Sequence, residues 1–252
     1  MNSQHLYRAA RKLVRPLKRR LQPKRAIGSL EELNAPALVL IAHPDDEVFC
    51  SGLICELLSR EQEVHLVCFT RGEGGERGEV SPDAQLSKIR ENELAAAAKS
   101  LAITSLTFLD YVDPASQNGR LSEPDYDSPE LLTELENLIE NQSISHLITH
   151  GSSGEYWHPA HLCLHRHARL LNRRLPRLQL WTFNSWAPNH KLPAVLNQDD
   201  PTDLTLNASA HHKVRLESLT CHHSQKDVFQ RFANGSLADF ITLTATENYR
   251  KW

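Results

Sequence analysis

No run of about 18 consecutive apolar residues occurs in this chain of 252 residues, which excludes a hydrophobic membrane-spanning helix. Its basic start is followed by no short apolar core with a cleavage site, so no signal peptide is expected. Cysteine is sparse as well. Cys50, Cys55, Cys68, Cys163 and Cys221 are odd in number, scattered and mostly set among apolar neighbours. That pattern excludes a disulfide framework and predicts buried thiols in a reducing, cytoplasmic compartment. Cys50 and Cys55 do not make a zinc knuckle. No disorder-like composition dominates, and 40% apolar residues are enough to fill the core of one large domain.

Acidic side chains are missing from residues 1–25, which carry nine Lys or Arg. The start is therefore +9, and the remainder is −12. Leu6, Ala10, Leu13, Val14, Leu17 and Leu21 fall on one helical face among the cations, with a kink expected at Pro16. A basic amphipathic segment of this kind suits an anionic membrane surface, here the inner face, and suits equally a helix docked on the acidic body or a solvated tail. An acidic body with no basic stripe argues against nucleic acid as a partner. The expected division is a basic segment over residues 1–30 and a catalytic domain over 31–252.

Apolar runs predict strands near 37–42, 64–70, 106–109, 146–149 and 178–183. Helical periodicity predicts helices near 47–60, 83–100, 128–141, 159–173 and 210–221. The alternation implies an α/β fold, a single Rossmann-like domain whose mostly parallel sheet has helices on both faces. The glycines of Arg71-Gly72-Glu73-Gly74-Gly75-Glu76-Arg77-Gly78 lack the spacing of a dinucleotide-binding turn and follow the second strand, so they predict a mobile loop at the rim of a site. Residues 118–126 and 189–203 read as long loops.

The first predicted strand ends in His43-Pro44-Asp45-Asp46-Glu47. Open α/β sheets bind ligands just past the C-terminal ends of their strands. An imidazole and a carboxylate there suit zinc or a similar ion, and a second carboxylate can take a proton from polarised water. A third ligand must come from elsewhere. After the fourth predicted strand comes His158-Pro159-Ala160-His161, with Pro159 at the first helical position and the two histidines near one edge of the first turn. One can bind metal while the other faces substrate. His5, His65, His146, His165, His167 and His190 read as surface or core-edge residues.

These two clusters resemble the LmbE-like, or PIG-L, family of zinc-dependent N-acetylglucosaminyl de-N-acetylases. Thr70 to Gly75, Leu109 to Asp113, and Leu219, His222, Ser224 and Gln225 extend the likeness. The resemblance implies Zn2+ or another divalent ion on His43, Asp46 and His161, Asp45 as general base, and His158 stabilising or protonating the tetrahedral intermediate. It also implies substrate contacts from Arg71 and Asp113, and a GlcNAc-containing substrate, either soluble or a lipid-linked glycan. Ala160 departs from the family, which often has Asp there, so any orienting contact from that carboxylate to a ligand His must be absent or come from another residue. A non-haem iron oxygenase, which uses the same ligand types, and an inactive carbohydrate-binding relative are the competing readings.

Overall fold

The computed structural model describes Arg15, residues 29–33 and residues 35–252. The amphipathic pattern expected over residues 1–25 thus lies outside the described residues, Arg15 excepted. β1 (Ala37–Ile41) and β2 (Val64–Thr70) are buried along their whole length, as strands covered on both faces are. With β3 (Ser105–Tyr111), β4 (His146–Thr149) and β5 (Gln179–Thr182) they form a parallel array in the order β3-β2-β1-β4-β5. Beyond β5 the sheet continues through β9 (Thr246–Lys251) to β8 (Leu204–Asn207), both in antiparallel pairing. A small separate pair joins β6 (Ser185–Trp186) to β7 (Asn197–Pro201).

Successive side chains of a strand face opposite ways, and β1 divides its residues between two cores accordingly. Ala37, Val39 and Ile41 pack with α1 (Ser51–Ser59), α2 (Leu86–Ser100), α5 (His212–Thr220), α6 (Lys226–Ala233) and α7 (Leu237–Leu243). Leu38 and Leu40 pack with α3 (Ser128–Asn141) and α4 (Pro159–Arg174). Local signals set several helix starts. Asp127 accepts the Glu130 N–H ahead of α3, and Ser236 with Asp239 makes a capping box at α7.

The expected single α/β domain with a mostly parallel, doubly covered sheet is the observed one. The last strands are an addition that hydrophobic periodicity misses. β9 reads Thr-Glu-Asn-Tyr-Arg-Lys, and its buried Glu247 is satisfied by hydrogen bonding. Glu247 Oε1 accepts Gly52 N at 2.7 Å and its Oε2 accepts Leu53 N at 2.9 Å, so a strand carboxylate neutralises the free amides at the start of α1. The region expected as a long loop at 189–203 contains β7. All five cysteines are free, and Cys50, Cys55, Cys68 and Cys163 are buried. Among the described residues, no helix is long and apolar enough to cross a membrane.

Gly52 is forced by this close approach, since a Cβ there would stand 2.3 Å from Ala208 Cβ and 2.7 Å from Glu247 Oε1. Gly52→Ala is expected to lower stability by about 1–3 kcal/mol, the usual range for overpacking. Urea unfolding checks this, and an unchanged midpoint would show that the helix shifts freely.

Candidate metal centre and active site

β1 and β4 pair in parallel with Leu40 opposite Thr149, at the point where strand order turns in opposite directions. The chains leaving these two strands therefore diverge around a crevice. Past β1, Asp46 Oδ2 accepts the His43 N–H at 2.8 Å and Glu47 Oε2 accepts the Asp45 N–H at 3.0 Å. These bonds hold Asp45 at φ 110°, a left-handed conformation that strains a residue with a side chain. His222, brought in after α5, donates from Nε2 to Glu47 Oε1 at 2.6 Å. Burial alone would lower the His222 imidazole, but Glu47, with Asp45 and Glu93, raises it above its ordinary range.

Past β4, residues 151–158 make a turn with Gly154, Glu155 and Trp157 all at positive φ. Glu155, at φ 56° and ψ −85°, is close to a γ-turn, a strained state costing about 1–3 kcal/mol. Asn197, at the start of β7, holds it there. Its Oδ1 accepts from Ser153 N and Glu155 N, and its Nδ2 donates to Glu155 Oε1 at 2.8 Å.

The two loops bring together three atoms that could hold a metal ion. His43 Nδ1 lies 3.3 Å from Asp46 Oδ2 and 3.3 Å from His161 Nε2, and His161 Nε2 lies 3.5 Å from Asp46 Oδ2. Tetrahedral zinc with bonds of about 2.0–2.1 Å separates neighbouring donors by about 3.3–3.4 Å, so the triangle fits that ion. Burial would lower the His43 imidazole, yet Asp113 and Asp46 push it up to about 10.

Each ligand ring has a carboxylate behind it. Asp113 Oδ1 stands 3.4 Å from His43 Nε2, and Asp113 N in turn donates to Glu73 Oε2 at 3.0 Å. Glu155 Oε2 accepts from His161 Nδ1 at 2.6 Å. The orienting contact left open by Ala160 is therefore supplied by Glu155. Burial would raise the Glu155 carboxyl, but His150 and His161 hold it down at about 2, so it is ionised. His158 stands with its ring centroid 4.6 Å from those of His43 and His161, and its Nδ1 is buried without a hydrogen-bond partner among the described residues. Burial, with the neighbouring His161 and His43, lowers it to about 2 and keeps it neutral.

Asp45 stands outside the triangle and is joined to Arg90, whose Nη2 lies 3.0 Å from Asp45 Oδ2. Burial, with the charges of Asp46 and Glu47, raises this carboxyl to about 6 against the pull of Arg90 and His222. The Arg71 guanidinium is held by Glu91 Oε2 at 2.8 Å and Asp110 Oδ1 at 3.0 Å, toward the β3 edge. The guanidinium beside Asp45 is that of Arg90, which also donates to Pro44 O and Gly72 O. The glycine loop is also explained differently. A Cβ on Gly72 or Gly75 would fall 2.1 or 2.3 Å from Arg90 Nη1, and one on Gly74 would fall 2.4 Å from Pro114 O, so these glycines admit close neighbours.

Residues 38–171 match the family described as PIG-L: GlcNAc-PI de-N-acetylase. The chain belongs to this family. Among its PIG-L-type relatives is the 1D-myo-inositol 2-acetamido-2-deoxy-alpha-D-glucopyranoside deacetylase of Mycolicibacterium vanbaalenii, 26% identical over 85% of this chain and 90% of that one. The fold resembles N,N'-diacetylchitobiose deacetylase from Pyrococcus horikoshii, with a TM-score of 0.62 and 18% identity over 98% of this chain and 92% of that one. It also resembles GalB, the 4-carboxy-2-hydroxymuconate hydratase of Pseudomonas putida, with a TM-score of 0.61 and 18% identity over 86% and 95% of the two chains. The fold alone thus accommodates more than one reaction.

Sequence reading missed His150, Glu155, Arg90 and Asn197. Only Glu155 left a local signal, an acid six residues before a histidine of the cluster. The raised His222 fixes the sign of a stability test. Its contribution is fully present below the ordinary value of 6.5 and is lost as pH rises through the raised folded value. The difference in Tm between wild type and His222→Gln should therefore be largest below the ordinary value of 6.5 and narrow as pH rises through the raised folded value. Differential scanning calorimetry reads it, and a gap that widens with pH would mean that His222 is neutral in the fold.

Proposed function

We propose that the chain removes the N-acetyl group of a GlcNAc-containing substrate by hydrolysis, with Zn2+ or another divalent ion held by His43, Asp46 and His161. The triangle of ligand atoms with edges of 3.3, 3.3 and 3.5 Å carries this reading. When bound, the ion supplies a Lewis acid for water and the acetamide carbonyl. Asp45, whose carboxyl is raised to about 6, takes the proton of the attacking water as its oxygen bonds to the carbonyl carbon. The neutral His158 donates an imidazole N–H to the oxygen that gains charge. As the C–N bond breaks, the nitrogen takes up the proton that Asp45 accepted, and acetate and a free amine leave. Asp113 and Glu155 keep the two ligand rings facing the centre.

The M. vanbaalenii relative is named for deacetylating an acetamido sugar on inositol, which supports a sugar acetamide as the substrate class. Acetate release across a panel of soluble and lipid-linked GlcNAc compounds tests the reading with the zinc-loaded protein. Asp45→Asn should keep fold and metal while lowering turnover by about 10² to 10⁴, the share of a general base. Near-normal turnover would assign the base elsewhere. Oxygen uptake without acetate would favour an oxygenase, and binding without turnover an inactive relative.

For the basic start, the proposal rests on one contact: Arg15 Nε donates to Asp199 Oδ1 at 2.9 Å. It supports docking of Arg15 on the acidic domain of residues 31–252, in a cytoplasmic protein whose thiols are free. The full-length protein is then expected to stay off phosphatidylserine vesicles in a flotation assay. Salt-sensitive flotation that disappears on removal of residues 1–25 would instead make the segment a peripheral membrane anchor.

A further inference from the structure

Two histidines compete for one corner of the site. His150 stacks on His161, with ring centroids 3.9 Å apart and planes 23° from parallel. Both present Nε2 to the same oxygen, Asp46 Oδ2, His161 at 3.5 Å and His150 at 3.6 Å. Asp46, His150 and His161 accordingly form a second ligand group that overlaps the one assigned above. Distance alone does not choose between the rings.

We propose that Glu155 is the positioning residue that gives His161 the tautomer a metal ligand needs, while the Ala42 N–H takes His150 out of competition. The proposal rests on the metal reading given above. A single oxygen, Glu155 Oε2, faces the Nδ1 atoms of both rings, at 2.6 Å from His161 and 3.0 Å from His150. A carboxylate only accepts hydrogen bonds, so each ring must carry a proton on Nδ1, and the neutral form of each then has its lone pair on Nε2. In His150 that lone pair is already used, because Ala42 N donates to it at 3.1 Å. In His161 it is left facing His43 Nδ1 and Asp46 Oδ2. One carboxylate therefore sets both tautomers, and the backbone of the β1 end removes one ring from competition.

Glu155 cannot reorient to satisfy either ring separately. Its Oε1 accepts from Asn197 Nδ2, which also donates to Phe183 O at 2.9 Å. Asn197 cannot turn over, because its Oδ1 accepts from Ser153 N, Ser153 Oγ and Glu155 N. Gly151 makes room for this amide, since a Cβ there would fall 2.2 Å from Asn197 Cγ. A glutamine at position 155 would be frustrated both ways. With its oxygen toward the histidines, its NH2 meets the Asn197 NH2. With its NH2 toward them, the rings must move their protons to Nε2, which blocks His161 as a ligand and sets His150 against the Ala42 N–H.

The test is zinc affinity by chelator competition on the full chain, for wild type, Glu155→Gln and His161→Ala, with circular dichroism of the zinc-free proteins as the check on folding. Glu155→Gln should bind zinc about 10- to 100-fold more weakly, the usual effect of losing a carboxylate behind a ligand histidine. In 15N imidazole spectra of the zinc-free protein, wild type should show Nδ1–H tautomers on both His150 and His161, and the variant should lose at least one. Zinc binding by Glu155→Gln within about threefold of wild type, where His161→Ala binds poorly, would overturn the role of Glu155 and leave the metal reading standing. Equal binding by wild type and His161→Ala would overturn the metal reading itself, and this proposal with it. Should Glu155→Gln fail to fold, the wild-type spectra decide: Nδ1–H on both rings supports the proposal, and Nε2–H on either overturns it.

Discussion

Everything chemical in this protein depends on the parallel pairing of β1 with β4. The strands to one side of that pair run β1, β2, β3 and those to the other run β4, β5, so the two chain exits part where no connection crosses between them. His43 and Asp46 come from one exit, and His150, Glu155, His158 and His161 from the other. A slip of register between the two strands would separate His161 from His43 and Asp46, now 3.3 to 3.5 Å away. The apolar residues of β1, all buried and divided between two cores, fix that register by packing.

The second constraint is the burial of many carboxylates in one place. Asp46, Glu47, Glu93, Asp113, Glu155 and Glu247 are all buried, and each is met by imidazole, guanidinium, hydroxyl or backbone N–H groups. Buried charges are tolerated only when paired in this way. The pairing explains the crowd of histidines better than catalysis alone would. His222 answers Glu47, and His150 answers Glu155. Arg90 has a comparable task beneath the first loop, and three glycines give up their side chains so that it and Pro114 can approach.

What the sequence made legible follows from how the information is stored. His43, Asp46, His158 and His161 lie in two short words at strand ends, where residue type, strand periodicity and the Pro-started helix agree. The parallel sheet was legible for the same reason, since strands such as Ala-Leu-Val-Leu-Ile and Val-His-Leu-Val-Cys-Phe-Thr announce burial. β7 and β9 were not, because their sequences are mostly polar and several of those groups are satisfied by partners far along the chain. Arg90 and Asn197 are single polar residues, one on a helix and one in a loop-like stretch. Their partners are 46 and 42 residues away, and no local pattern marks them. The pairing of Arg71 with Glu91 and Asp110 was hidden in the same way, since those partners lie 20 and 39 residues away.

The supports of the first loop reach unusually far along the chain. His222 holds Glu47 across 175 residues, and Glu247 caps the helix at Gly52 across 195. On a ribosome, the segment that carries His43 and Asp46 emerges long before the residues that restrain it. During synthesis the nascent chain therefore exposes His43 and Asp46 with neither His161 nor the residues that buttress the first loop. Such non-local closure slows folding, and it makes the assembled centre one of the last features of the chain to form.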